Sequence, residues 1–107
     1  MASKETFVAF VCDQLQGVGA IRSRKMFGDF MIYVNDKPLL LLCDDTVFVK
    51  KLPALAELLR NAPCGVPYEG SKEHYILDPE DTELLRKTVE IMEPLTPLPR
   101  ARKAKKG

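Results

Sequence analysis

The stretch "RKMFGDFMIYVNDKPLLLLCDD", Arg24 to Asp45, decides the fold. Two apolar runs, "FMIYV" and "LLLLC", flank "NDKP", in which every residue has turn chemistry. Short apolar runs bounded by turn signals are strands. The spacing predicts one strand over Lys25–Val34, interrupted at Gly28-Asp29 by a β-bulge or sharp bend, and a second over Leu39–Cys43. Pro38 suits the first residue of a strand, where no ladder N–H is needed. "CDDT" then reverses the chain in so few residues that a third strand, Thr46–Lys50, must run antiparallel to the second. Backbone geometry accounts for Gly28, and no phosphate-cradling loop is implied.

Working outward, Ser3 is a suitable N-cap for a helix over residues 4–16. Phe7, Val8, Val11, Cys12 and Leu15 recur along it at helical spacing, with Phe10 toward the edge of the stripe. Pro53 opens a short helix over 53–61, with Leu55, Leu58, Leu59 and Ala62 on one side. Short strands are expected around Tyr68 and over His74–Leu77. Asp78 and Pro79 supply the cap and first position of a last helix whose apolar face runs from Leu84 and Leu85 to Leu95 and which Pro94 ends. The domain is therefore expected over 1–95, followed over 96–107 by a proline strap and a disordered basic tail. The class is α+β: a two-layer sandwich of order α-β(3)-α-β(2)-α, with helices on one face of an antiparallel sheet.

At 107 residues and 46% apolar composition the chain suits one globular domain. No apolar run approaches the ~20 residues of a membrane span. "MASKETF" lacks the basic flank and apolar segment of a signal peptide, so a cytoplasmic protein is expected. Cys12, Cys43 and Cys64 are odd in number and form no CxxC pair; they read as small buried thiols. Five of the sixteen basic residues lie in "RARKAKKG", leaving eleven against fifteen acidic residues in the body, about −4. That sign matches nucleic acid poorly, because phosphate binding needs concentrated positive charge.

No nucleophile elbow, Walker loop or dinucleotide fingerprint occurs. His74 stands alone, and Asp44-Asp45 belong to a turn. No catalytic residue, metal or cofactor is predicted. Two other features bear on partners. Arg22, Arg24 and Lys25 precede "MFG", and Lys50-Lys51 end the third strand; if those strand ends meet, the five cations form a rim for nucleic acid or an acidic partner. The second feature is the two-sided apolar character of the strands. With Phe30, Ile32 and Val34 facing the helices, Met31, Tyr33, Leu40, Leu42 and Phe48 are expected on a second face that something must cover. A homodimer is the simplest cover, with an unidentified protein partner beside it.

The ordered set "RSRKMFGDFMIYVNDKPLLLLCDDTVFVK" and "PYEGSKEHYILDPEDTELLRKTVEIM" resembles the N-terminal domain of the TfoX/Sxy regulators of bacterial competence, over roughly residues 5–93. The resemblance implies a two-layer fold similar to type III secretion chaperones, which often dimerise, and a link to competence-gene expression alongside the cyclic-AMP receptor protein. It supplies no catalytic residues. Asp29 stands where the family often has a second glycine, and the chain matches the N-terminal domain alone.

Overall fold

The computed structural model describes residues 5–26 and 29–98. It is an α+β fold: helix α1 (Glu5–Gln14), strands β1 (Ile21–Met26), β2 (Asp29–Val34), β3 (Lys37–Cys43) and β4 (Thr46–Lys50), a 3-10 turn at Pro53–Leu55, strands β5 (Cys64–Gly65) and β6 (His74–Leu77), and helix α2 (Thr82–Leu95). The six strands form one antiparallel sheet in the order β1-β2-β3-β4-β6-β5. Among the described residues, no helix is long and apolar enough to cross a membrane.

Two hairpins fix the centre of the sheet. Asn35 and Asp36 have φ of 54° and 67°, and Asp44 and Asp45 have 54° and 55°. Two-residue loops with both residues left-handed match the twist of paired strands, and Asn and Asp tolerate that conformation better than other residues with a Cβ. Both turns follow the sequence expectation. Between them, Leu40 and Leu42 pair with Ile32 and Phe30, and Leu42 pairs with Val47. Cross-strand partners share a face, so these side chains form one dry layer. Val8 and Val11 of α1, Leu15 in the turn after it, Leu85, Val89 and Met92 of α2, and Leu55 and Leu59 after β4 close over it. Thr88 is the buried polar residue of α2, and its hydroxyl donates to the Leu84 carbonyl at 2.8 Å.

The strand expected over Lys25–Val34 is two strands. Met26 and Asp29 are cross-strand partners, so the chain reverses between them instead of bulging. Phe27 and Gly28 lie outside the described residues, as do the Ser3 cap and the tail beyond residue 98. β1 escaped detection because "IRSRKM" is an edge strand with little apolar alternation. The sheet's irregularity falls elsewhere: Ile32 pairs with Leu40 but Tyr33 with Pro38, which leaves Leu39 as an extra residue on β3. Proline is tolerated at such a bulge, and the shift in parity leaves consecutive leucines, Leu39 and Leu40, both buried.

Three smaller expectations also change. Beyond the 3-10 turn, residues 56–61 continue as turns held by bonds such as Leu59 N–H to the Leu55 carbonyl, 2.8 Å. Tyr68 lies in a loop, the preceding strand being only Cys64–Gly65. The cap of α2 is Asp81, whose carboxylate accepts the Leu84 N–H at 3.2 Å, while Asp78 closes the turn before it by accepting the Glu80 N–H.

Asn35 ties three parts of the chain together. Its side-chain oxygen accepts the Ala20 N–H at 2.9 Å, and its amide donates to Glu93 of α2 at 3.3 Å. Lys37 reaches the same carboxylate at 3.1 Å and the Glu93 carbonyl at 2.8 Å. Gly19 permits the approach, since a Cβ there would stand 2.8 Å from the Asn35 side-chain oxygen. Asn35→Ala should cost about 2–3 kcal/mol in urea unfolding, from left-handed strain plus lost hydrogen bonds, and Asn35→Gly clearly less because only the bonds are lost. The hydrogen bonds from Lys37 and then Asn35 hold the Glu93 carboxyl below its ordinary 4.5. The stability this supplies is present above that value and is lost as pH falls through the lowered pKa. The stability difference between the parent and Glu93→Gln should therefore shrink on acidification below about 4.5, as read by unfolding curves against pH.

Candidate functional site

Both helices lie on the same side of the sheet, so the opposite face is where a site can form. The ladder register places Arg24, Met31, Leu41, Phe48 and Ile76 in one row across that outer face. Arg22, Tyr33 and Pro38 begin the neighbouring row, which Lys50 and His74 complete. The cover here is thin. Residues 66–73, leading from β5 to β6, fold across β3 and β4 and bury Pro67, whose carbonyl accepts the Cys43 thiol at 3.0 Å. Phe48 is thereby almost enclosed, at 8% exposure, with His74 edge-on to its ring at a centroid distance of 6.3 Å. Met31, Tyr33 and Leu41 remain half-buried with no helix above them.

The expected second face needs one correction. Leu40 and Leu42 are fully buried against the helices, because they pair with Ile32 and Phe30 on the helix side. Leu41 takes the outer position instead. Met31, Tyr33 and Phe48 lie on the outer face as expected. Adjacent leucines in "LLLL" are chemically alike, so only the register, which the bulge at Leu39 shifts, distinguishes them.

The five cations do not meet at one rim. β1 and β4 are separated by β2 and β3, about 14 Å at the usual strand spacing. Arg22 lies 4.4 Å over the Tyr33 ring and pairs with Asp36 at 3.2 Å. Lys25 shares the opposite face with Phe30, whereas Arg24 sits on the outer face beside Met31. Lys51 pairs with Glu73 at 2.8 Å and lies over Tyr75; Glu73, then the Cys64 thiol, raises its pKa above the ordinary range and keeps it charged. Lys50 projects from the end of β4 onto the outer face, near the 66–73 loop.

That loop frames two adjoining hollows. One, of about 160 Å³, has apolar walls from Met31, Leu39, Leu41 and Phe48. The other, of about 560 Å³, is bordered by Lys50, Lys51, Lys72, Ser71 and Gly70. Lys50, Tyr68 and His74 belong to both. His74 is positioned by its Nδ1, which donates to the Lys72 carbonyl at 2.7 Å. Tyr68 and Lys72 went unnoticed in the sequence because a loop carries no periodicity that would mark its side chains as facing a sheet. Among the described residues no three His, Cys, Asp or Glu side chains converge to hold a metal.

The thiols differ in setting. Cys12 and Cys43 are partly covered, but Cys64 is exposed, contrary to expectation. Burial, reinforced by Asp29, pushes the Cys43 thiol up to about 11, so at pH 8 about one molecule in a thousand carries the reactive thiolate. Iodoacetamide at pH 8 should modify Cys64 at least about tenfold faster than Cys43 by peptide mass mapping. Equal rates would mean that the 66–73 loop does not hold over the sheet.

The TfoX N-terminal domain family profile matches residues 13–89. A protein of Spirochaeta aurantia described as "Uncharacterized 12.7 kDa protein in trpE 5'region" is 34% identical over 111 residues, covering 98% of this chain and 93% of its own length.

Proposed function

This chain belongs to the TfoX N-terminal domain family, and on that premise we propose that it is a non-enzymatic, cytoplasmic regulatory module acting by protein–protein contact as a homodimer. The regulated process is competence or transcription, in keeping with the family. The observation that carries the proposal is the outer sheet face, where Met31, Tyr33 and Leu41 are half-buried with no helix over them. An interface core is built from such aromatic, Met and aliphatic residues, and Arg22 and Arg24 make a polar rim around it.

The sheet edge is a poorer place for two copies to join. β1 is the long free edge, and its Arg22, Arg24 and Lys25 would face like charges in an antiparallel self-pairing. Face-to-face contact avoids that repulsion by offsetting the two cationic rows. Direct nucleic-acid binding through these cations is the weaker alternative, since β2 and β3 separate them and Arg22 and Lys51 already pair with Asp36 and Glu73.

Light scattering should give a mass twice the 12.0 kDa of one chain. Leu41→Glu should halve that mass while leaving the far-ultraviolet spectrum intact, because Leu41 packs on the outer face and not under the helices. A parent that remains monomeric at high micromolar concentration would sink the dimer.

A further inference from the structure

The two hollows beside the 66–73 loop differ in chemistry but share a wall. The larger has three lysines, of which Lys51 is paired with Glu73. Lys50 and Lys72 have no acidic partner among the described residues. Two uncompensated ammonium groups at one concavity attract an anion, and a dianion more strongly than a monoanion. With the His74 Nδ1 proton committed to the Lys72 carbonyl, Nε2 of the neutral ring is an acceptor, so His74 forms part of the wall and supplies no donor to an anion.

The smaller hollow, about 160 Å³, has walls from Met31, Leu39, Leu41 and Phe48. A cavity of roughly 150 Å³ with such walls takes one benzene-sized ring. Tyr68, 58% exposed, borders both hollows and offers a ring face at the junction.

The frame is built. Tyr68–Ser71 is a tight turn closed by Ser71 N–H to the Tyr68 carbonyl at 3.0 Å, with Gly70 at φ +89°. The Lys72 carbonyl receives both the Ser71 hydroxyl at 3.0 Å and the His74 ring. Pro67 is held by Cys43 below, and Glu73 by Lys51 at the side. A loop fastened to the sheet at three points, Pro67, Lys72 and Glu73, presents its lysines around a fixed concavity.

We propose that the joined hollows bind a small amphipathic anion: a phosphate monoester carried on a ring-sized apolar group. The ring enters between Phe48 and Leu41, and the phosphate lies against the ammonium groups of Lys50 and Lys72. This site shares Met31 and Leu41 with the proposed dimer face and extends from them toward β6, away from Tyr33 and β1. A chain that proves monomeric yet binds such a ligand keeps this inference and loses the dimer.

The probes are phenyl phosphate, inorganic phosphate, benzoate and benzyl alcohol, titrated into the full chain at low salt and followed by amide chemical shifts. Phenyl phosphate should bind at least tenfold more tightly than each of the others. It should shift the amides of residues 68–74 together with those of Leu41 and Phe48. Lys50→Ala combined with Lys72→Ala should weaken it at least tenfold at an unchanged urea midpoint, both side chains being solvent-facing. Inorganic phosphate or benzyl alcohol binding as tightly as phenyl phosphate would overturn the proposal, as would benzoate doing so or full affinity in the double variant.

Discussion

A β-sheet has two faces, and this chain has helices for one of them. Phe30, Ile32, Leu40, Leu42, Val47 and Val49 must face α1 and α2, since burying each is worth roughly 1.5–3 kcal/mol and no other apolar cover is within reach. Strand geometry then sends Met31, Tyr33, Leu41, Phe48 and Ile76 the other way. A sheet wetted on that side would alternate apolar with polar residues, and these central strands do not. The composition of the outer face is thus a demand for cover, which the 66–73 loop meets over Phe48 and leaves unmet over Met31 and Leu41.

The register that sorts residues between the faces is set locally. Two left-handed Asn/Asp turns make two-residue hairpins on either side of β3, and one extra residue at Leu39 shifts its parity. A one-residue slip would turn Leu40 and Leu42 outward and bring Leu41 into the core, so the turns determine which leucines are free to act. Asn35 reinforces the arrangement by fastening the first hairpin to the residues before β1 and to the end of α2.

The strong signals in the sequence were those of local chemistry. Asn35-Asp36 and Asp44-Asp45 marked both hairpins, and the helical stripes held the buried Val8, Val11, Leu15, Leu85, Val89 and Met92, although Leu95 at the end of α2 is exposed. β1 was hidden because an edge strand with charged residues shows no alternation, so the antiparallel partners β1 and β2 read as a single strand. Leu41 could not be separated from Leu40 and Leu42, because four identical side chains carry no parity of their own. The cations beside "MFG" and after β4 suggested one rim, but distance across a sheet depends on strand order, which neighbouring residues do not encode. Lys72 and Tyr68 gained their place only from the path of the loop over β3 and β4.

In this member of the TfoX N-terminal domain family one physical feature stands out, an apolar sheet face that a single chain leaves half-covered. The most direct test that this face is a contact surface is methyl relaxation in the presence of a soluble gadolinium complex, on a concentrated sample with labelled Met, Leu and Ile methyls. If the outer face is the contact surface, the methyls of Met31 and Leu41 will relax as slowly as those of Ile32 and Leu40 in the core. Fast, solvent-accessible relaxation of Met31 and Leu41 beside protected core methyls would contradict it.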